Sequence, residues 1–438
     1  MASLRIVIAA VATAGALAVA GVLVLRSGEA AEPARERLVV AAASTGPSVL
    51  VGAGGAVLEE FTGDCAGRRH VYLCERVRAE LRQVDDTWLT KAGLTIRTAI
   101  DPVAQRAAQE AIDRHVGRDD PHVAAQAMIV PATGEIRALA TSRGNAPNLQ
   151  QGGTAMVYPL AAALEQGLRF DDGFPYAAAY RAPKYSTFKN CKRENIADPA
   201  HTVTNPESEP RDFTTLRSGT LATEETFFMK LTERVGLCES VTMAKRLGLV
   251  RGDGLPLREF STFALGINEV DPIAVAGTYA TLAARGLRCA PRVVTEVRAD
   301  GGFARALPAR CEQVLDAQVA DAVTDVLATA LAKSPLKGLG RDAAGMDGTA
   351  DSYTTATYAG YTPVLASAVG LGHPGSAQSN KLSDVTIGGK RYEHVRGTTI
   401  PGPIWKDSMK AALDGTEDTS FTPPDTTRFG GCSQACAN

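Results

Sequence analysis

Histidine is scarce in this chain of 438 residues: six occur, none in HExxH or HxH spacing, which leaves no metal site to expect. The sequence also lacks a phosphate loop, a GxGxxG turn and a GxSxG elbow, so it offers no nucleotide or cofactor site and no hydrolase nucleophile of that type. Charge of one sign is missing too. Lysine and arginine number 46 against 48 acidic residues, a net charge of −2, with the two signs interspersed, which argues against a nucleic-acid partner. Long hydrophobic runs are absent with one exception.

That exception is residues 6–25, which carry no charge between Arg5 and Arg26. Roughly 20 apolar residues cross a bilayer, whereas the core of a cleaved signal peptide is shorter, about 7–15 residues. The expectation is a transmembrane anchor over 1–30 that holds the main domain outside the cytoplasm, followed by a stalk and linker over 31–90. The cysteines agree with export. Eight of them, at Cys65, Cys74, Cys191, Cys238, Cys289, Cys311, Cys432 and Cys436, form an even set without CxxC spacing, which suits disulfides in an oxidising compartment. Proximity suggests pairing each with its neighbour along the chain; the sequence leaves the connectivity open, and free buried thiols are the alternative.

Beyond the stalk, residues 38–58 suggest a hairpin and 75–81 a short helix. Residues 94–100 alternate as a half-buried strand, and Asp101-Pro102 caps a helix running to about His115. Residues 125–131 and 135–140 flank an Ala132-Thr-Gly134 turn. A long irregular stretch covers 169–210. Helical patterns follow over 214–232, 241–248, 265–284 and 314–332, strands over 292–297, 343–350, 355–361 and 365–370, and a last helix over 404–413. The tail, 416–438, reads as mobile. Helices in the middle with antiparallel strands at both ends make an α+β domain over 91–415.

The stretch Gln151-Gly-Gly-Thr-Ala-Met156 leads into helix formers that end before Gly167, a C-terminal cap. A loop feeding a buried helix N-terminus is a favourable mount for a nucleophile, because the first-turn N–H groups stabilise developing negative charge. Between Gly153 and Met156, however, there is no serine, cysteine or lysine.

Several stretches together resemble the transpeptidase domain of penicillin-binding proteins, nearest the class A type without its glycosyltransferase domain. They are Leu94-Thr-Ile-Arg-Thr-Ala-Ile-Asp-Pro-Val-Ala-Gln105, the segment 127–139, Phe263-Ala-Leu-Gly-Ile-Asn-Glu-Val-Asp-Pro272, Tyr279-Ala-Thr-Leu-Ala-Ala-Arg-Gly286, Ala359-Gly-Tyr-Thr-Pro363 and Thr399-Ile-Pro-Gly-Pro-Ile-Trp405. The resemblance implies an antiparallel sheet packed with helices. It also implies a serine acyltransferase built on three motifs, S-x-x-K, S-x-N and K-T-G. In the first, the lysine lies one turn after the serine and activates it. The register of this chain puts Gly153 at the serine and Met156 at the lysine. Thr223-Glu224-Glu225 stands for S-x-N, and Met346-Asp347-Gly348 for K-T-G, with Thr154, Glu224, Gly348 and Thr349 lining the ligand groove. Methionine keeps a lysine's length without its charge, and Glu225 and Asp347 add negative charge where the family binds a carboxylate. The expectation is a pseudoenzyme that binds peptidoglycan or a wall-synthesis partner.

Two other readings stay open. Ser186-Thr-Phe-Lys189 is a literal S-x-x-K, and an active D,D-transpeptidase would use Ser186 with Lys189. A purely structural wall-associated domain would have its groove filled by side chains. His373 reads as a loop residue, and Tyr158, Tyr358, Tyr361 and Trp405 as core or groove wall.

Overall fold

The computed structural model describes residues 46–205, 209–375 and 379–437. The apolar stretch 6–25 lies outside them, and no helix among the described residues is long and apolar enough to cross a membrane.

A five-stranded sheet forms the centre. Its strands are β1 (Val123–Ile129), β2 (Ile136–Thr141), β3 (Ala344–Thr349), β4 (Thr355–Tyr361) and β5 (Ala366–Gly372), in the spatial order β3-β4-β5-β1-β2. Every pairing is antiparallel. Strands β1, β4 and β5 are buried at every residue, which requires cover on both faces. Helices α1 (Pro102–His115) and α6 (Pro401–Ala412) supply one cover, and α4 (Pro272–Ala283) the other, with α2 (Val157–Glu165) and α5 (Ala317–Lys333) alongside. The α1–α6 side is closed by Ile112, Met128, Tyr358, Val369, Ile404 and Trp405. Trp405 donates its indole N–H to Gly360 O at 3.2 Å, and a Cβ at Gly360 would lie 2.6 Å from its ring; the glycine in β4 is what lets α6 seat on the sheet.

The local sequence accounts for these elements. Asp101 accepts hydrogen bonds from Val103 N and Ala104 N at the start of α1, with Pro102 in its first turn, as the cap-and-proline signal predicts. The β1–β2 hairpin turns through Ala132 and Gly134, both at positive φ, and Gly167 takes φ +89 after α2.

Three expectations fall differently. The hairpin and short helix expected within the linker are present, as Ser48–Val51/Val57–Phe61 and Val71–Val84, but the hairpin is not a free stalk: it joins a second five-stranded sheet with Leu94–Thr98 and Val294–Ala299. The helical pattern 214–232 is broken: Leu216–Leu221 stops, Thr223 takes φ +48, and a new helix α3 begins at Glu225–Val235. The pattern 265–284 breaks at Gly266, with φ +76, and restarts at Pro272. In both places a left-handed backbone turn overrides a continuous apolar period.

The tail is also placed. A short helix, Thr426–Phe429, buries Phe429 completely against Phe170, with ring centroids 6.1 Å apart. The Cys432–Cys436 loop then closes on Asp172: Ser433 N, Gln434 N and Ala435 N all donate to its Oδ1 at 2.6–3.1 Å, holding that carboxyl below its usual range. The bridges join Cys65 to Cys74, Cys191 to Cys238, Cys289 to Cys311 and Cys432 to Cys436, each cysteine with its neighbour along the chain.

Candidate functional site

The three motif positions, about 70 and 120 residues apart in sequence, converge on one cavity of about 720 Å³. Gly153, Met156, Thr223, Glu225, Met346, Asp347 and Thr349 all line it. The fold brings them together in three pieces. A 3-10 turn, Gly152–Met156, feeds α2. The break before α3 presents Thr223 and Glu225. The edge strand β3 presents Met346 and Asp347.

At the first position the packing leaves no space for a side chain. A Cβ on Gly153 would sit 2.7 Å from Asp347 O and 2.8 Å from the Thr223 methyl. A Cβ on Gly348 would sit 2.4 Å from Gln151 O. These two glycines let β3 press directly onto the turn before α2. The contact is tied by Thr357, whose hydroxyl donates to Gln151 O at 2.7 Å and to Gly348 O at 3.0 Å. Met156 and Met346 are buried in the same wall, at 1% and 3% exposure, where an unpaired lysine ammonium would be costly.

Electrostatically the cavity is acidic on one side. Burial pushes the Glu225 carboxyl up from 4.5 to about 7, helped by the like charge of Asp351. Burial also pushes Asp347 up from 3.8 to about 6, against the Thr349 hydroxyl that holds it down from 3.0 Å. Tyr358, beneath β3, is raised well above the usual phenol range by burial and by Asp347. Lys333, at the end of α5, and Arg396 also line the cavity. Arg396 donates to Tyr353 OH at 3.2 Å, and the Tyr353 ring stacks on His394 with centroids 4.1 Å apart. Sequence reasoning missed Lys333, Asp351, Tyr353 and Arg396. They come from a helix end and from loops far along the chain, and no local pattern marks them.

Three of the residues assigned to the groove turn away from it. Thr154 is fully buried and donates to Gln151 O at 2.7 Å. Glu224 is buried on the far side of the α3 break, accepting from Thr214 Oγ1 at 3.2 Å, and Gly348 is covered by the Gln151 carbonyl. Ser186 and Lys189 are exposed on the 169–210 insertion, Ser186 in the three-residue turn Tyr185–Thr187, and neither lines the cavity. Tyr158, Tyr361 and Trp405 are fully buried core, and His373 lies beside His122 in a loop after β5, ring centroids 6.0 Å apart. Among the described residues, one group has metal-ligand spacing, Asp172 with Cys432 and Cys436, and both sulfurs there are already bonded to each other.

Penicillin-binding protein 1A of Mycobacterium tuberculosis is 29% identical over 377 residues, covering 80% of this chain and 43% of that protein. Its counterpart in Mycolicibacterium smegmatis is 29% identical over 373 residues, covering 80% and 45%. The chain is a homologue of the penicillin-binding proteins. It spans less than half the length of these relatives. Its transpeptidase fold is equally plain: the penicillin-binding protein PonA1 from Mycobacterium tuberculosis superposes with a TM-score of 0.66 at 24% identity, over 84% of this chain and 97% of that one. The same PonA1 in complex with penicillin V gives 0.63 at 25%, over 83% and 98%. Penicillin-binding protein A from the same organism, as an imipenem acyl-enzyme, gives 0.60 at 18%, over 84% and 99%. No family model matches the chain.

Proposed function

We propose that this penicillin-binding-protein homologue is a binding protein of peptidoglycan synthesis that forms no acyl-enzyme, held at the outer face of the membrane by residues 1–30. The observation that carries the reading is Gly153: at the nucleophile position there is no hydroxyl, and a Cβ would meet the β3 backbone at 2.7 Å. The cavity itself remains open beside it, at about 720 Å³, which favours a ligand-binding role over a purely structural one. The disulfides and the uncharged run 6–25 support the extracytoplasmic placement.

The test is incubation of the purified protein with a fluorescent penicillin, followed by denaturing electrophoresis. The expected result is no covalent label. A stoichiometric adduct overturns the reading. If that adduct is lost in Ser186→Ala, the transpeptidase alternative with Ser186 and Lys189 takes its place.

A further inference from the structure

Residues 181–193 hold Arg181, Lys184, Lys189, Lys192 and Arg193 and no carboxylate, in a chain that is otherwise balanced. All five are exposed, and among the described residues none is paired with an acid. The segment is not a loose strand of charge. Phe188 is buried, Ile196 N donates to Phe188 O at 3.1 Å, and Asn190 Oδ1 caps the tip by accepting from Lys192 N and Glu194 N at 3.0 and 2.9 Å. The Cys191–Cys238 bridge anchors that tip, and Cys191 N donates to Glu259 Oε2 at 2.6 Å, which seats it on the loop 249–260.

That loop is ordered by its own bonds, with Asn268 receiving Arg258 N at 2.8 Å and donating to Arg258 O at 3.2 Å. It nevertheless turns large apolar groups to solvent: Phe260 is 56% exposed and Leu255 59%, and the basic segment itself exposes Tyr185 at 62%. A merely solvated charged face has no need of such side chains. The carboxylates of the two segments are already engaged, Glu194 by Asn190, Asp253 by Arg251 and Glu259 by Lys245. Five exposed cations on an anchored backbone, with exposed aromatic and aliphatic groups on the same two bonded segments, therefore match the outer layers of an anionic bilayer. Phosphates there take the cations, and the interface takes amphipathic rings. A soluble polyanion would use the charges and leave Tyr185, Leu255 and Phe260 without a role.

We propose that the disulfide-fixed knob at 181–196, together with the 249–260 loop, is a docking surface for an anionic lipid headgroup layer. It is independent of the acylation question. The full-length chain is treated with a membrane-impermeant amine-acetylating ester in the presence of nanodiscs of phosphatidylglycerol or of phosphatidylcholine, and labelling of each lysine is read by mass spectrometry. Lys184, Lys189 and Lys192 are expected to react about five-fold more slowly with phosphatidylglycerol, the factor that one cation near an anionic surface provides. High salt is expected to reverse this, and Lys410, on α6, to react equally in both. The comparison between lipids has the same meaning whether or not residues 6–25 insert. Equal labelling of the three lysines in both discs overturns the proposal. So does protection that persists unchanged in Tyr185→Ser/Phe260→Ser, because that outcome assigns the knob to polyanions in general.

Discussion

At Gly153 the Cβ that any other residue carries meets the Asp347 carbonyl at 2.7 Å, so relief has to come from backbone and not from a side chain that turns aside. Gly153→Ala is therefore expected to destabilise the fold by about 1–3 kcal/mol, the usual range for overpacking, seen as a lower denaturant midpoint at unchanged slope. By the same reasoning Gly153→Ser/Met156→Lys returns the motif letters without returning acylation by a fluorescent penicillin, since the hydroxyl arrives in a space already held by β3. The cavity acids make a second prediction at this scale. Glu225 and Asp347 both have folded pKa values above their ordinary ones, so the folded form binds their protons more tightly than the unfolded chain does. Their contribution to stability is full below about pH 4 and is lost as pH rises through about 6 and 7. Thermal denaturation from pH 4 to pH 8 is expected to show a shallower decline in Glu225→Gln and Asp347→Asn than in the parent; parallel curves would refute the assignment.

Elements decide what these residues see. The β3 edge carries Met346 and Asp347 to the cavity because Gly348 permits contact with the turn before α2, and α3 starts late because Thr223 turns left-handed. The C-terminal segment is the element that sequence composition misrepresents most. A Thr/Pro-rich stretch looks unstructured, yet Phe429 is fully buried on Phe170 and the Cys432–Cys436 loop supplies three N–H groups to Asp172. This clasp grips residues 167–173, which leave α2 and bond onward to Leu216 and Arg217 through Asp172 O and Phe170 O. Phe429→Ala is expected to cost about 3–5 kcal/mol, as for other buried aromatics, with a matching fall in Tm. A change under about 0.5 kcal/mol would show that the tail is not part of the folded unit.

On the scale of the molecule, four bridges and no free thiol among the described residues predict that native protein takes up no iodoacetamide before reduction and labels at all eight cysteines after reduction and unfolding. Much of this architecture was legible from the chain alone. Asp101-Pro102, the Ala132-Thr-Gly134 turn and the alternating strand at 94–100 report local backbone preference, and each lies where its pattern places it. The residues read as motif positions, Gly153, Met156, Thr223, Glu225, Met346 and Asp347, do meet at one cavity, because each stands at the start of a helix or on a strand that the sequence pattern marks. What composition and period leave undetermined is contact across the chain. That Gly153 is closed by the Asp347 carbonyl, that Thr154 and Glu224 face away, that Lys333 and Arg396 share the cavity, and that the tail is a clasp all depend on which surfaces meet in three dimensions. A sequence determines the conformations each segment prefers; the close packing of sheet against helix decides which of its atoms are left with room to act.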